Sequence, residues 1–218
     1  MDSAWQVIMD AIPLLLQGLG ITIEVISISL VIAMFIGFIF GLMGTSLHKT
    51  VRTIAFIYVD IIRGTPLLVQ IFFIYFGLPV ALGLKIPAMV AGIIAISLNA
   101  SAYIAEIFRA GIQSIDTGQM EAARSLGMKR GQAMWFVVLP QAVRRMIPAF
   151  VNQFIISLKD TSLLSVIGIQ ELTQSGEIII STNFRAFEIW GTVGVFYFII
   201  IYTLTRVSRV LEKRLAGR

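Results

Sequence analysis

The groups able to do chemistry are the polar residues set inside apolar stretches: Glu24, Asp60 with Arg63, Glu106 with Arg109, and the adjacent Lys159 and Asp160. Asp60 and Arg63 stand three apart, as do Glu106 and Arg109, so each pair is expected to neutralise itself on one helix face. Lys159 and Asp160 point about 100° apart on a helix, so each needs a partner on another element, a local unwinding or a ligand. Glu24 has no basic residue three or four positions away. Asn99 and Ser101 add neutral donors and acceptors, while Thr161 and Ser162 offer hydroxyls of a kind that often bonds its own backbone. Gly64, Thr65 and Pro66 interrupt a span, because Pro66 has no N–H and frees the carbonyl near Ile62. These groups suit the holding of a charged or polar ligand. With no cysteine and His48 as the only histidine, the chain offers no thiol nucleophile, no thiolate metal site and no Ser-His-Asp arrangement.

The elements carrying these residues belong in a membrane. Of 218 residues 57% are apolar and 13% charged, and the mean hydropathy is +0.90, far from a soluble composition. Five stretches approach the roughly 20 apolar residues of a membrane helix: Gly18 to Gly44, Ile54 to Leu84, Ile86 to Ile107, Ile147 to Ile169 and Phe187 to Thr205. They lack strand alternation and are too long for barrel strands, which predicts an all-α integral membrane protein, one domain over residues 1–218. Lys49 and Arg52 follow the first span; Arg109, Arg124, Lys129, Arg130, Arg144 and Arg145 the third; Arg206, Arg209, Lys213, Arg214 and Arg218 the fifth. The other side has only Lys85 and Arg185, so the N-terminus is expected outside and the C-terminus in the cytoplasm. The net charge of +5 flanks spans instead of forming a patch with aromatics, which argues against a nucleic-acid partner. The start Met1-Asp2-Ser3 has no basic segment or cleavage site and predicts no removable leader. Trp5, Ile8, Met9, Ile12, Leu15 and Leu16 at helical spacing, opposite Gln6, Asp10 and Gln17, suggest a short helix lying in the outer interface. It would serve as a membrane anchor or as a docking surface.

Residues 116–140 form a cytoplasmic insertion between the third and fourth spans. Met120 to Leu126 are good helix formers, Gly127 suits a left-handed cap, and Gln132 to Leu139 predict a second helix ending before Pro140. Ala122 and Ala123 allow close approach of a partner surface, with the charges of Glu121 and Arg124 beside them. Such a glycine-bracketed knob would transmit force.

Glu121-Ala122-Ala123, Gly127, then Val137, Leu139 and Pro140 resemble the EAA signature of bacterial ATP-binding-cassette importer permeases, in which an isoleucine usually stands at the place of Val137. Arg63-Gly-Thr-Pro-Leu-Leu-Val-Gln70, Ala102-Tyr-Ile-Ala-Glu106, Gly118-Gln119 and Lys159-Asp-Thr-Ser-Leu-Leu-Ser165 are similar to the polar amino acid subfamily, the histidine, glutamine and arginine uptake type. The resemblance covers most of the chain from about Gly18.

The resemblance implies a multi-pass permease subunit of the bacterial inner membrane with five helices. Its coupling segment, with Gly118, Glu121, Ala122, Ala123, Arg124 and Gly127, would sit in a groove of a cytoplasmic ATPase. A second permease copy or related chain and an extracellular or periplasmic amino acid binding protein would complete the assembly. The chain has no phosphate-binding Gly-x-x-x-x-Gly-Lys-Ser/Thr loop, so it is expected to be no enzyme and to hold no cofactor, with ATP and magnesium bound by the ATPase. An amino acid ammonium would suit Asp160, against a structural network with Arg63 and Asn99. Glu24 departs from the neutral residue expected in the family and suits a cationic side chain, against pairing with Lys159 or protonation. The expected substrate is a basic amino acid, with Arg63, Gly64, Thr65, Asn99, Ser101, Thr161 and Ser162 lining the rest of its site; a neutral one such as glutamine is the alternative. Outside the family, an ion-gradient transporter is the further alternative, against which stand the absence of internal repeats and the knob of residues 116–140, and a membrane enzyme lacks a catalytic constellation.

Overall fold

The computed structural model describes residues 3–216, with side chains described through Val210. Met1, Asp2 and Arg218 lie outside the described residues, as do the side chains of Lys213 and Arg214. All regular elements among the described residues are helical.

Helix α1, Ala4–Gly44, is a single 41-residue run started by Ser3, whose Oγ accepts from the Gln6 N–H at 3.2 Å. At 1.5 Å per residue it is roughly 60 Å long, about twice a bilayer core. The expected interfacial helix is therefore no separate element. Ala11 and Leu15 are buried against Leu172, Ile189 and Val193, so the amphipathic pattern reflects docking on the chain itself, although Trp5 and Met9 remain exposed. The buried stripe of α1 runs through Gly18, Thr22, Ser29, Ala33, Gly37 and Gly41. It packs chiefly on α5, Ala88–Gln113, whose buried face contains Ala91, Gly92, Ala95, Ala100 and Ala105. A Cβ on Gly37 would lie 2.5 Å from Ile104 Cγ2, and one on Gly41 2.5 Å from Phe108 Cβ. Small residues on both helices permit this closeness, the main source of helix affinity where lipid removes the hydrophobic drive.

The second expected span is broken. Helix α2, Lys49–Arg63, stops before Pro66, and a helical run resumes as α3, Leu67–Phe72, a π turn over Phe73–Gly77, and α4, Leu78–Leu82. The two halves are bent by 98°. The insertion supplies α6, Thr117–Ser125, and α7, Arg130–Ala133, followed by a π turn over Met134–Val138 that runs directly into α8, Leu139–Asp160. Pro140 thus does not end a helix. Both π turns stand just before a Leu-Pro pair, Leu78-Pro79 and Leu139-Pro140, and the widened turn relieves the clash of the proline ring with the carbonyl four residues back.

After Asp160 the helix tightens to a 3-10 stretch, Thr161–Ile167, ended by Gly168 at φ 78°. Helix α9, Leu172–Asn183, was not expected, and α10, Ala186–Ala216, completes the fold. The fully buried Glu171 starts α9: Oε1 accepts from the Gln174 N–H at 2.8 Å, and Oε2 from the Tyr197 hydroxyl of α10 at 3.0 Å. Three helices, Ala4–Gly44, Ala88–Gln113 and Ala186–Val210, are long and apolar enough to cross a membrane singly, and the broken pair makes a fourth crossing or a re-entrant excursion. A fifth crossing would rest on α8 and its 3-10 extension, which are more polar.

Candidate functional site

The break in the second span faces the middle of α5 and the end of α8 across a cavity of about 600 Å³. From the break come Arg63, Gly64, Thr65, Pro66 and Leu67, from α5 Asn99 and Tyr103, and from α8 Gln153, Ile156 and Asp160. Five of the nine residues expected at a ligand site are thus gathered: Arg63, Gly64, Thr65, Asn99 and Asp160. Tyr103 and Gln153 are additions whose signal was present in the spacing, since Tyr103 lies one turn beyond Asn99 and Gln153 two turns before Asp160.

The other four lie elsewhere. Ser101 is fully buried, donating to the Leu98 carbonyl at 2.8 Å and lying 2.6 Å from the Tyr58 hydroxyl. Thr161 donates to the Leu158 carbonyl and Ser162 to the Lys159 carbonyl, each at 2.7 Å. Glu24 sits on the exposed face of α1, opposite buried Thr22 and Ser29. It does not line the cavity and forms no ion pair with Lys159 or any other described residue.

The charges of the second and third spans behave differently. Arg109 pairs with Glu106, its Nε donating to Oε2 at 3.0 Å. Arg63 does not pair with Asp60, and its guanidinium lies 5.1 Å from the centre of the Tyr103 ring, a cation–π arrangement that steadies the side chain and leaves its N–H groups available. Asp160 is half-buried and makes no ion pair with Lys159 or Arg63 among the described residues. The cavity therefore presents one acid and one base, neither neutralised by the other.

Helix α6 stands apart on the insertion. Asp116 starts it, accepting from the Gly118 N–H at 2.6 Å. Gly127, at φ 86°, ends it: its N–H donates to the Arg124 carbonyl at 3.0 Å and that of Met128 to the Ala123 carbonyl at 3.2 Å. This is a Schellman cap, so both helix ends are tied. Of the two alanines expected to meet a partner surface, Ala122 is exposed and Ala123 is buried against the chain itself. Leu126, outside the expected coupling set, is 84% exposed beside Gly127. Glu121, Arg124, Ser125, Gly127, Met128 and Lys129 border an open groove on this knob.

The family described as "Binding-protein-dependent transport system inner membrane component" matches residues 33–217. The glutamine transport system permease protein GlnP of Escherichia coli is 44% identical over 216 residues, 99% of each chain. The arginine transport system permease protein ArtQ of Bacillus subtilis is 36% identical over 204 residues, 94% of this chain and 93% of that one. A solved structure described as an amino acid ABC transporter with histidines superposes with a TM-score of 0.92 at 41% identity, covering 98% of this chain and all of that one. The match across most of the chain, the helical architecture and the agreement of fold with an ABC transporter lead to one conclusion: the chain belongs to the inner-membrane components of binding-protein-dependent transport systems, the permease subunits of ABC importers.

Proposed function

We propose that the chain carries a polar amino acid across the membrane through the cavity at the broken second span, powered by a separate ATPase. The carrying observation is that Asp160 and Arg63 border one cavity without pairing. A zwitterion brings one group of each sign: Asp160 takes the α-ammonium and Arg63 the α-carboxylate. Ionised groups in a span are costly by about 2.5 to 3.5 kcal/mol each on insertion scales, and a ligand that answers both offsets that cost. The Asn99 and Gln153 amides beside them suit an uncharged polar side chain, and the similarity to a permease named for glutamine supports the same choice.

A basic substrate is the second reading. Glu24 is an acid at membrane depth without a partner among the described residues, and a relative is named for arginine. Because Glu24 lies outside this cavity, it would meet the ligand only at the surface between two permease subunits.

In the assembled importer two permease subunits, identical or related, cross the membrane with five helices each, N-termini outside and C-termini in the cytoplasm. A binding protein delivers the ligand from outside. Helix α6, within residues 116–140, docks on the ATPase through Glu121, Ala122, Arg124 and Leu126, and ATP-driven closure there switches the cavity between its two openings. ATP and magnesium stay on the ATPase, and this chain hydrolyses nothing. The test is uptake into proteoliposomes holding permease, ATPase and binding protein. ATP-dependent accumulation of glutamine above arginine is expected; the reverse order would favour the second reading, and uptake driven by an ion gradient without ATP would reject both.

A further inference from the structure

A proline at the break fixes which way an amide in the cavity points. A helical carbonyl accepts from the N–H four residues on, so Ile62 should accept from residue 66, and Pro66 has no N–H to give. The side chain of Gln70 replaces it. Its Nε2 donates to the Ile62 carbonyl at 2.7 Å, and also lies 2.9 Å from Thr65 Oγ1 and 3.2 Å from the Thr65 carbonyl. Thr65 Oγ1 spends its own proton on the Ile61 carbonyl at 3.0 Å, so it can only accept from Gln70. Turning the Gln70 amide over would set its oxygen against three oxygens, so Nε2 must face the break.

Gln70 Oε1 then points away, and Asn99 Nδ2 donates to it at 3.1 Å. Asn99 Oδ1 is left without a donor. No fully buried side-chain polar atom among the described residues lacks a partner, so Oδ1 opens onto the cavity that Asn99 lines.

We propose that Gln70 is a positioning residue and Asn99 a specificity-determining one. Through this relay the cavity shows the ligand side chain a fixed hydrogen-bond acceptor and selects a side chain ending in N–H over an isosteric one ending in a carboxylate. The proposal rests on the reading of the cavity as an amino acid site, with Asp160 and Arg63 occupied by the backbone groups. Gln70 is a second-rank neighbour of the ligand: it acts through Asn99.

Glutamine and glutamate are the matched probes, and binding is measured on the purified permease–ATPase complex in nanodiscs, without the binding protein and its own selectivity. The wild type should bind glutamine about ten-fold or more better than glutamate. Gln70→Met, which can neither close the break nor hold Asn99, should shrink that ratio roughly three- to ten-fold. Asn99→Asp, an acceptor in either orientation, should restore the preference for glutamine in the Gln70→Met background, where no Gln70 oxygen faces it. Asn99→Leu should lose the preference without opening the break, which covers poor assembly of Gln70→Met. Hydrogen exchange across residues 62–70 should quicken in both Gln70→Met proteins and stay unchanged in Asn99→Leu. An unchanged ratio in Gln70→Met, equal binding of the two ligands by the wild type, or equal weakening of both by Asn99→Leu would overturn the selectivity, and unchanged exchange in Gln70→Met would overturn the relay. Failure of the amino acid reading looks different: neither ligand binds, Asp160→Asn changes nothing, and the exchange still reports on Gln70.

Discussion

At the scale of single residues, the acids Asp160 and Glu24 have different fates. Asp160 borders the cavity and Glu24 faces outward from α1, so their neutral variants should separate. A charge-assisted hydrogen bond contributes about 1.5 to 3 kcal/mol, so Asp160→Asn should lower uptake of every amino acid by ten-fold or more, the α-ammonium being common to all. Glu24→Gln should spare neutral amino acids, and if basic ones are carried it should weaken their uptake alone by a similar factor. Initial rates for glutamine, arginine and lysine in proteoliposomes check both; equal loss across all three in Glu24→Gln would make Glu24 structural. The cavity was legible in sequence as far as Arg63, Gly64, Thr65, Asn99 and Asp160, because a polar group amid apolar neighbours stands out. Ser101, Thr161 and Ser162 stand out equally and do not line it, since a hydroxyl satisfied by a nearby carbonyl looks the same in a sequence as one awaiting a ligand. Asp60 and Arg63 share the spacing of Glu106 and Arg109, yet only the latter pair, because Tyr103 competes for Arg63.

Among the elements, packing between helices is decided by a few close approaches. A Cβ on Gly18 would come within 2.2 Å of Ser175 Oγ and 2.8 Å of the Glu171 carbonyl oxygen, whereas Gly20, half a turn away, meets nothing within 4 Å. Gly18→Ala should therefore lower the melting temperature of the detergent-solubilised complex, while Gly20→Ala leaves it level or raises it slightly through helix propensity. Similar melting of the two would mean that α1 and α9 separate without cost. On the coupling helix, Gly127→Ala would strain a φ of 86° by about 1 kcal/mol. With Glu121→Lys, it should leave the chain inserted but reduce uptake per ATP hydrolysed, measured as the ratio of the two rates; an unchanged ratio in both variants would remove α6 from the coupling path. The glycine cap was readable because a left-handed residue after a helix has few alternatives. Pro140 was misread because a proline signals a lost hydrogen bond and a clash, and whether the helix stops or widens into a π turn depends on what packs around it. Helix α9 escaped notice because Leu172–Asn183 is short and mixed in polarity, and its burial against α1 is tertiary.

Taken whole, the sequence sets most of its Lys and Arg after the first, third and fifth expected spans and only Lys85 and Arg185 on the other side, so reporters fused after Lys49 and at the C-terminus should read cytoplasmic and one near Lys85 should read external. An external C-terminus would reject the orientation. The distribution of Lys and Arg is a property of the sequence and was legible there; the 98° bend of the second span was not, since Gly64 and Pro66 announce an interruption without its angle. The cavity that Arg63 and Asp160 border is large enough for many water molecules, and when solvent fills it the carrier holds a polar pool inside the bilayer. Water conducts ions far better than lipid, and most of the transmembrane voltage must then fall across whichever closed side still separates that pool from bulk solution. A unit charge moved through that thin barrier gains or loses close to the full membrane potential, about 2.3 kcal/mol per 100 mV. With an inside-negative potential, a cationic cargo would be drawn inward in the step that opens the cytoplasmic side, an electroneutral cargo such as glutamine would not, and any moment with both sides open would short-circuit the membrane.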